Sequence, residues 1–145
     1  MIYARGVKDL LCNPRYAQAF DVRAADWTEH NLPAPNRRED SNTTWRTLEA
    51  GIRAKGSWAS SFFGFAKAAE VKTSTRCAMV AGLAEHGRYL HSFGDVGNSN
   101  WAATQYTGLA TLALTMPELN DAQVWFEHAQ RKILDDMRKG IPRWS

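Results

Sequence analysis

A chain of 145 residues has the length of one domain and enough material for a real core. With 44% hydrophobic and 23% charged residues it reads as globular, and an apolar content led by alanine, with six Trp and six Phe, suits packed helices better than sheets. A net charge of +3 with a pI near 9.0 is too mild for a nucleic-acid binder and reads as an ordinary solvated surface, and no run approaches the ~20 apolar residues of a membrane helix.

Residues 1 to 12 form an apolar and basic lead-in in which Arg5, Lys8 and Asp9 interrupt any apolar segment of the secretory type, so no signal peptide is expected there. Asn13 offers an N-cap with Pro14 at the first helical position. Tyr16, Phe20, Ala24 and Trp27 then recur at helical spacing to about His30. The segment from Asn31 to Asn42, with two prolines and the cluster Arg37, Arg38, Glu39, Asp40, is a loop. A second helix should begin at Thr43 or Thr44, with Trp45, Leu48, Ile52 and Ala59 on one stripe, and should weaken or break at Gly56 and Ser57 before Trp58, Phe62, Phe63 and Phe65.

Thr73 or Ser74 can cap a third helix whose buried face carries Cys77, Val80, Leu83, Ala84, Gly87 and Leu90, ending before Phe93. The loop Gly97-Asn98-Ser99-Asn100-Trp101 leads into a helix of small residues, from about Asn100 to Thr115, that Pro117 stops by withholding a backbone donor. Asn120 caps a last helix in which Phe126, Ala129, Ile133 and Met137 recur, with Gly140 and Pro142 ending it. The expected fold class is all-α, antiparallel helical hairpins without a short repeat.

Few residues carry obvious chemistry. Cys12 and Cys77 have neither metal spacing nor the density of a disulfide framework, and Cys77 is expected in the core. No metal-binding His pair, nucleophile elbow or phosphate-binding glycine loop occurs. His30, His86, His91 and His128 are scattered, and His86 and His91 read as cations suited to the negative end of the third helix. A hydrolytic acid pair must face across a cleft. Nothing in the spacing of Glu49, Asp95 and Glu118 forces that, and the adjacent Asp135 and Asp136 point apart. Asn100 is left as an amide at a helix entry, where the dipole favours an anion and where the residue taken alone reads as a simple N-cap or loop amide.

Four pieces in order carry a resemblance: Trp45-Arg46-Thr47-Leu48-Glu49-Ala50-Gly51-Ile52-Arg53, Gly97-Asn98-Ser99-Asn100, Gly108-Leu109 and Pro117-Glu118. They resemble the N-terminal helical domain of the heparinase II/III-like polysaccharide lyases. That family has a Trp-Arg-x-Leu-Glu-x-x-x-Arg helix, then an Asn-His pair, a Gly-Leu and a Phe-Pro-Glu, and the intervals from 101 to 108 and from 108 to 117 agree. Asn13 to Phe20 with Trp27 is similar to the family's preceding helix, so the likeness covers most of the chain.

What the resemblance implies is part of an incomplete α/α toroid, preceding a β-sandwich in the complete enzyme. Residues 1–145 are accordingly expected to be a single helical domain, a fragment lacking the C-terminal β-domain. Members cleave anionic uronate polysaccharides such as heparan sulfate or alginate by β-elimination; no metal or other cofactor is expected for this chain. It also implies an anionic polysaccharide as partner, with neither nucleic acid nor membrane, and a secreted or periplasmic setting. The family's Asn neutralises the uronate carboxylate so that the C5 proton can leave, and its position here is Asn100. Trp45, Arg46, Arg53, Asn98 and Trp101 are the candidate substrate-binding residues.

Trp101 stands where many members have His, and it is neither a base nor a cation. It can stack on a sugar ring or fill the helical core. Arg46 and Arg53 can meet an acidic chain or pair with Glu49. The family's catalytic Tyr is not assignable, since Tyr106 lies at the wrong place. Two other readings stand beside the lyase: a non-catalytic helical carbohydrate-binding or protein-interaction module using Trp45, Trp58 and Trp101, and a hairpin-repeat scaffold, for which no period is found.

Overall fold

The computed structural model describes residues 13–31, 43–93 and 100–140. Its elements are α1 (Pro14–His30), a 3₁₀ turn (Thr43–Trp45), α2 (Thr47–Lys55), α3 (Ser57–Phe65), α4 (Thr73–Ser92), α5 (Asn100–Thr115) and α6 (Ala122–Gly140), and among the described residues there is no strand. The protein is all-α. No described helix is long and apolar enough to cross a membrane.

Local chemistry sets most of the helix ends. The Asn13 side chain accepts from Arg15 N at 3.0 Å with Pro14 beginning α1. Gly56 closes α2, its N–H donating to the Ile52 carbonyl at 3.1 Å, and the chain re-enters a helix at Ser57. The expected break is there. α5 runs from Asn100 to Thr115, ending ahead of Pro117. At the start of α6 it is Asp121, one residue after the expected Asn120, whose carbonyl accepts the first intrahelical bond, from Trp125 N at 3.0 Å.

The chain forms two compact units. The first comprises the described parts of residues 1–32 and 60–82. In it the buried face of α1 is Ala17, Asp21, Ala24 and Thr28. The expected stripe of Tyr16, Phe20, Ala24 and Trp27 is therefore rotated: Tyr16 is exposed, and Phe20 and Trp27 are half-buried. The cause is Asp21, whose carboxylate accepts from Lys72 N at 2.9 Å and bonds the Thr75 side chain, with Lys72 Nζ at 3.5 Å. These bonds cap the start of α4 from another helix and draw Asp21 inward, while Phe20 stacks on Phe65 at the flank, with centroids 5.2 Å apart.

Arg76 secures the turn before α4 by donating to the carbonyls of Ala66 and Ala68, both at 2.7 Å. With Thr75 and Met79 turned inside, Cys77 faces out. It is an exposed free thiol and not the core residue expected, and Val80 is half-buried.

The second unit comprises the described parts of residues 33–59 and 83–145. Its core is Leu83, Leu90, Tyr106, Leu109, Leu112, Trp125 and Ala129. α2 packs on α5, and α5 on α6. Two glycines let α2 and α5 touch through their backbones: a Cβ on Gly51 would lie 2.6 Å from the Thr104 carbonyl oxygen, and one on Gly108 2.7 Å from that of Gly51. Hence the inner face of α2 is Thr47, Ala50, Gly51 and Ala54. Of the expected stripe, Trp45 and Ala59 are buried, Leu48 is half-buried and Ile52 is exposed, because the close crossing admits only small residues.

The buried line of α6 is likewise rotated, to Ala122, Trp125 and Ala129. The Trp125 ring occupies the notch left by Gly87, where a Cβ would stand 2.2 Å from it. Phe126 and Ile133 are left half-buried and Met137 exposed.

Candidate functional site

The close crossing of α2 and α5 determines which side chains meet at their N-terminal ends. Arg46 lies beside Trp101, and Gly51 beside Thr104 and Gly108, so positions rise together along both helices and the two run in the same direction. Their N-termini, with the positive ends of both dipoles, therefore share one end of the unit. Asn100 is the first residue of α5 and is exposed there. Asn98, with the rest of Gly97–Ser99, lies outside the described residues.

Next to Asn100, the half-buried Trp101 ring carries the Arg46 guanidinium 5.3 Å from its centroid, a cation–π contact. Arg46 also grips Glu49 one turn further on, with Nε donating to Oε2 at 3.0 Å and Nη2 to Oε1. That bond holds the Glu49 carboxyl below its usual range, against the opposing effect of partial burial. Glu49 is thus an ionised partner of arginine.

Behind this edge lies a second cluster. Arg53 is half-buried, its guanidinium 5.4 Å from the Trp45 ring centroid. It donates through Nε to His86 Nε2 at 2.9 Å and through Nη2 to the Thr44 carbonyl. Because a guanidinium can only donate, His86 Nε2 accepts, which places the ring proton on Nδ1 and makes the imidazole neutral. Burial pushes Arg53 down to about 10, with Glu49 and Tyr89 acting in the opposite sense, and it remains a cation at neutral pH.

His86 is fully buried between Trp45 and Trp58, with ring centroids at 4.5 and 5.3 Å. Its reading as a charged residue at the helix end is therefore corrected. It is a neutral acceptor inside α4, on the stripe that includes Leu83 and Leu90. Periodicity could have found it, since it falls three residues after Leu83 and four before Leu90.

The structure thus brings Arg46 and Trp101 together beside Asn100, and Trp45 and Arg53 together one layer beneath. Trp45 is 3% exposed, its ring against His86, Tyr89 and the Arg53 guanidinium and its carbonyl accepting from the Tyr89 hydroxyl. Tyr106 is buried, 5.8 Å from the His128 ring by centroids, and His128 in turn meets His91 at 4.9 Å. Among the described residues no three of His, Cys, Asp or Glu converge as a metal site would require.

Chemically, the solvent-facing edge offers an amide donor, two helix N-termini and a guanidinium spread on an indole. This suits a carboxylate beside a ring-shaped body. A family model described as Heparinase II/III N-terminus matches residues 11–141. No curated protein and no solved structure matches the chain.

Proposed function

The chain belongs to the heparinase II/III N-terminal family, and from that premise we propose that it forms the helical wall of a site that cleaves uronate polysaccharide by β-elimination. It is a domain related to polysaccharide lyases. In the reaction proposed, a base removes the C5 proton of a uronate, the C4–O bond breaks and a C4=C5 double bond forms. The C5 proton is acidic enough to leave when the adjoining carboxylate is neutralised.

Asn100 takes that role. Its amide donates to the carboxylate without titrating, and the α5 N-terminus behind it stabilises the charge that develops. The observation that carries this reading is the exposed Asn100 at the head of α5 beside the Arg46–Trp101 stack. Trp101 offers a flat face to a sugar, and Arg46, whose Nε and Nη2 hold Glu49, offers its remaining N–H groups to a carboxylate or sulfate; Asn98, outside the described residues, is proposed as a further substrate contact. Trp45 and Arg53 stiffen the floor.

The base is supplied from outside this set, since Trp101 stands in the place of the family's His and an indole cannot accept a proton as a general base. The fold proposed for the complete enzyme is an incomplete α/α toroid followed by a β-sandwich, in a periplasmic or secreted setting, acting on a glycan of the heparan sulfate or alginate type.

The test is a titration of the chain with alginate and heparan sulfate oligosaccharides, followed by NMR at the Asn100 side-chain amide. Binding is expected to shift that resonance, and Asn100→Ala to weaken binding by roughly tenfold, about the worth of one charge-assisted hydrogen bond. Equal affinity in the variant would remove Asn100 from the site. The alternative of a non-catalytic carbohydrate-binding or protein-interaction module draws on the half-buried Trp58 and Trp101, but the inward packing of Trp45 weighs against a tryptophan-lined binding face.

A further inference from the structure

We propose that Gln105 is a positioning residue for Asn100, a role that rests on the reading of Asn100 given above. Gln105 lies in α5 and is fully buried. Its Nε2 donates to the Leu90 carbonyl at 2.8 Å and to the Phe93 carbonyl at 3.3 Å. Leu90 sits in the last turn of α4, and Phe93 is where the chain leaves that helix, to return at Asn100. One amide in the second turn of α5 therefore grips the end of α4.

The other half of the amide offsets part of what those two bonds contribute to stability. Oε1 of Gln105 is buried without a hydrogen-bond partner. A buried acceptor without a donor is destabilising, and an apolar side chain of similar shape would avoid that cost. Within the last turn of α4 itself, Ser92 Oγ and Phe93 N both serve the Tyr89 carbonyl, at 2.9 and 3.3 Å, whereas the Leu90 and Phe93 carbonyls are reached from α5. What a bond from α5 adds is a fixed distance between the end of α4 and the first turns of α5, and hence the direction in which Asn100 meets solvent.

The experiment compares the wild-type chain with Gln105→Met and Gln105→Glu by NMR without ligand. Methionine keeps the volume and removes the donors. The Asn100 backbone and side-chain resonances are expected to move, and the thermal midpoint to fall, since the Leu90 and Phe93 carbonyls lose their donor. Glutamate supplies a readout that a purely structural role would not move. As a carboxylate it sets an acceptor against two carbonyls, and when protonated it donates to one of them as the amide does.

The Asn100 resonances of Gln105→Glu should therefore coincide with wild type at low pH. They should depart from it as pH rises through a range that burial lifts above the usual carboxylate one, a transition absent from wild type. Asn100 resonances unmoved in Gln105→Met, or showing no transition in Gln105→Glu, would overturn the proposal. With alginate oligosaccharide added, Gln105→Met is expected to bind roughly tenfold more weakly. If the wild-type chain binds none, the carboxylate role of Asn100 falls, and the ligand-free spectra still decide whether Gln105 positions it.

Discussion

Arg46 and Arg53 belong to one short motif and differ in what burial has done to them. Arg46 stays at the edge, shared between the Trp101 face and Glu49. Glu49 has a depressed carboxyl, so the pair's contribution is present above the ordinary carboxylate range and is lost as pH falls through the lower, folded value. With both side chains about a third exposed, that contribution is less than ~1 kcal/mol. Arg46→Ala should return Glu49 toward its usual range in a carboxyl NMR titration and alter Trp101 emission, with little loss of stability.

Arg53 has exchanged water for His86 and the Thr44 carbonyl. His86→Phe keeps an aromatic ring between Trp45 and Trp58 but removes the acceptor. Leaving that Arg53 bond unmade should cost about 1–3 kcal/mol in urea unfolding, and a variant as stable as wild type would show the bond to be dispensable.

At the scale of elements, the crossing of α2 and α5 is the contact that the rest of the second unit follows. Gly→Ala inside a helix ordinarily stabilises by roughly 0.5–1 kcal/mol. Here the added carbon would stand 2.6 Å from a backbone carbonyl at Gly51 and 2.7 Å at Gly108, where no side chain can yield. The sign should reverse. Gly51→Ala and Gly108→Ala are each expected to lower stability by about 1–3 kcal/mol, read from thermal unfolding. In the first unit, the Asp21 carboxyl is held low chiefly by Thr75 and the Lys72 N–H. Its stabilisation is therefore in place at neutral pH and is lost on acidification below the usual carboxylate range. Asp21→Ala should be less stable than wild type at pH 7, and the gap should narrow as pH falls, a trend that paired denaturation curves would measure.

For the whole molecule, the proposed division of labour leaves proton abstraction to groups outside the site residues assigned here. The chain should therefore bind oligouronate without forming an unsaturated uronide. New ultraviolet absorbance from the purified chain would contradict that. The helical class and the family were legible in the sequence because both rest on local signals. Asn13 with Pro14, Gly56 and Pro117 act within a turn of where they stand, and the motif from Trp45 to Arg53 is contiguous. Which face each helix buries was not legible in the same way. Periodicity favoured large residues such as Tyr16, Ile52 and Met137, whereas the tightest contacts use Gly51, Gly87, Gly108 and Asp21, whose value depends on a partner distant in the chain. The sequence by itself determined most helix ends and that Asn100 heads one helix, although Thr43–Trp45, expected to open the second helix, is a 3₁₀ turn and α2 begins at Thr47. Only the tertiary structure decided that His86 is a neutral acceptor, that Cys77 faces out, and that Arg46 meets Trp101 beside Asn100, because each follows from backbones brought into contact across dozens of residues.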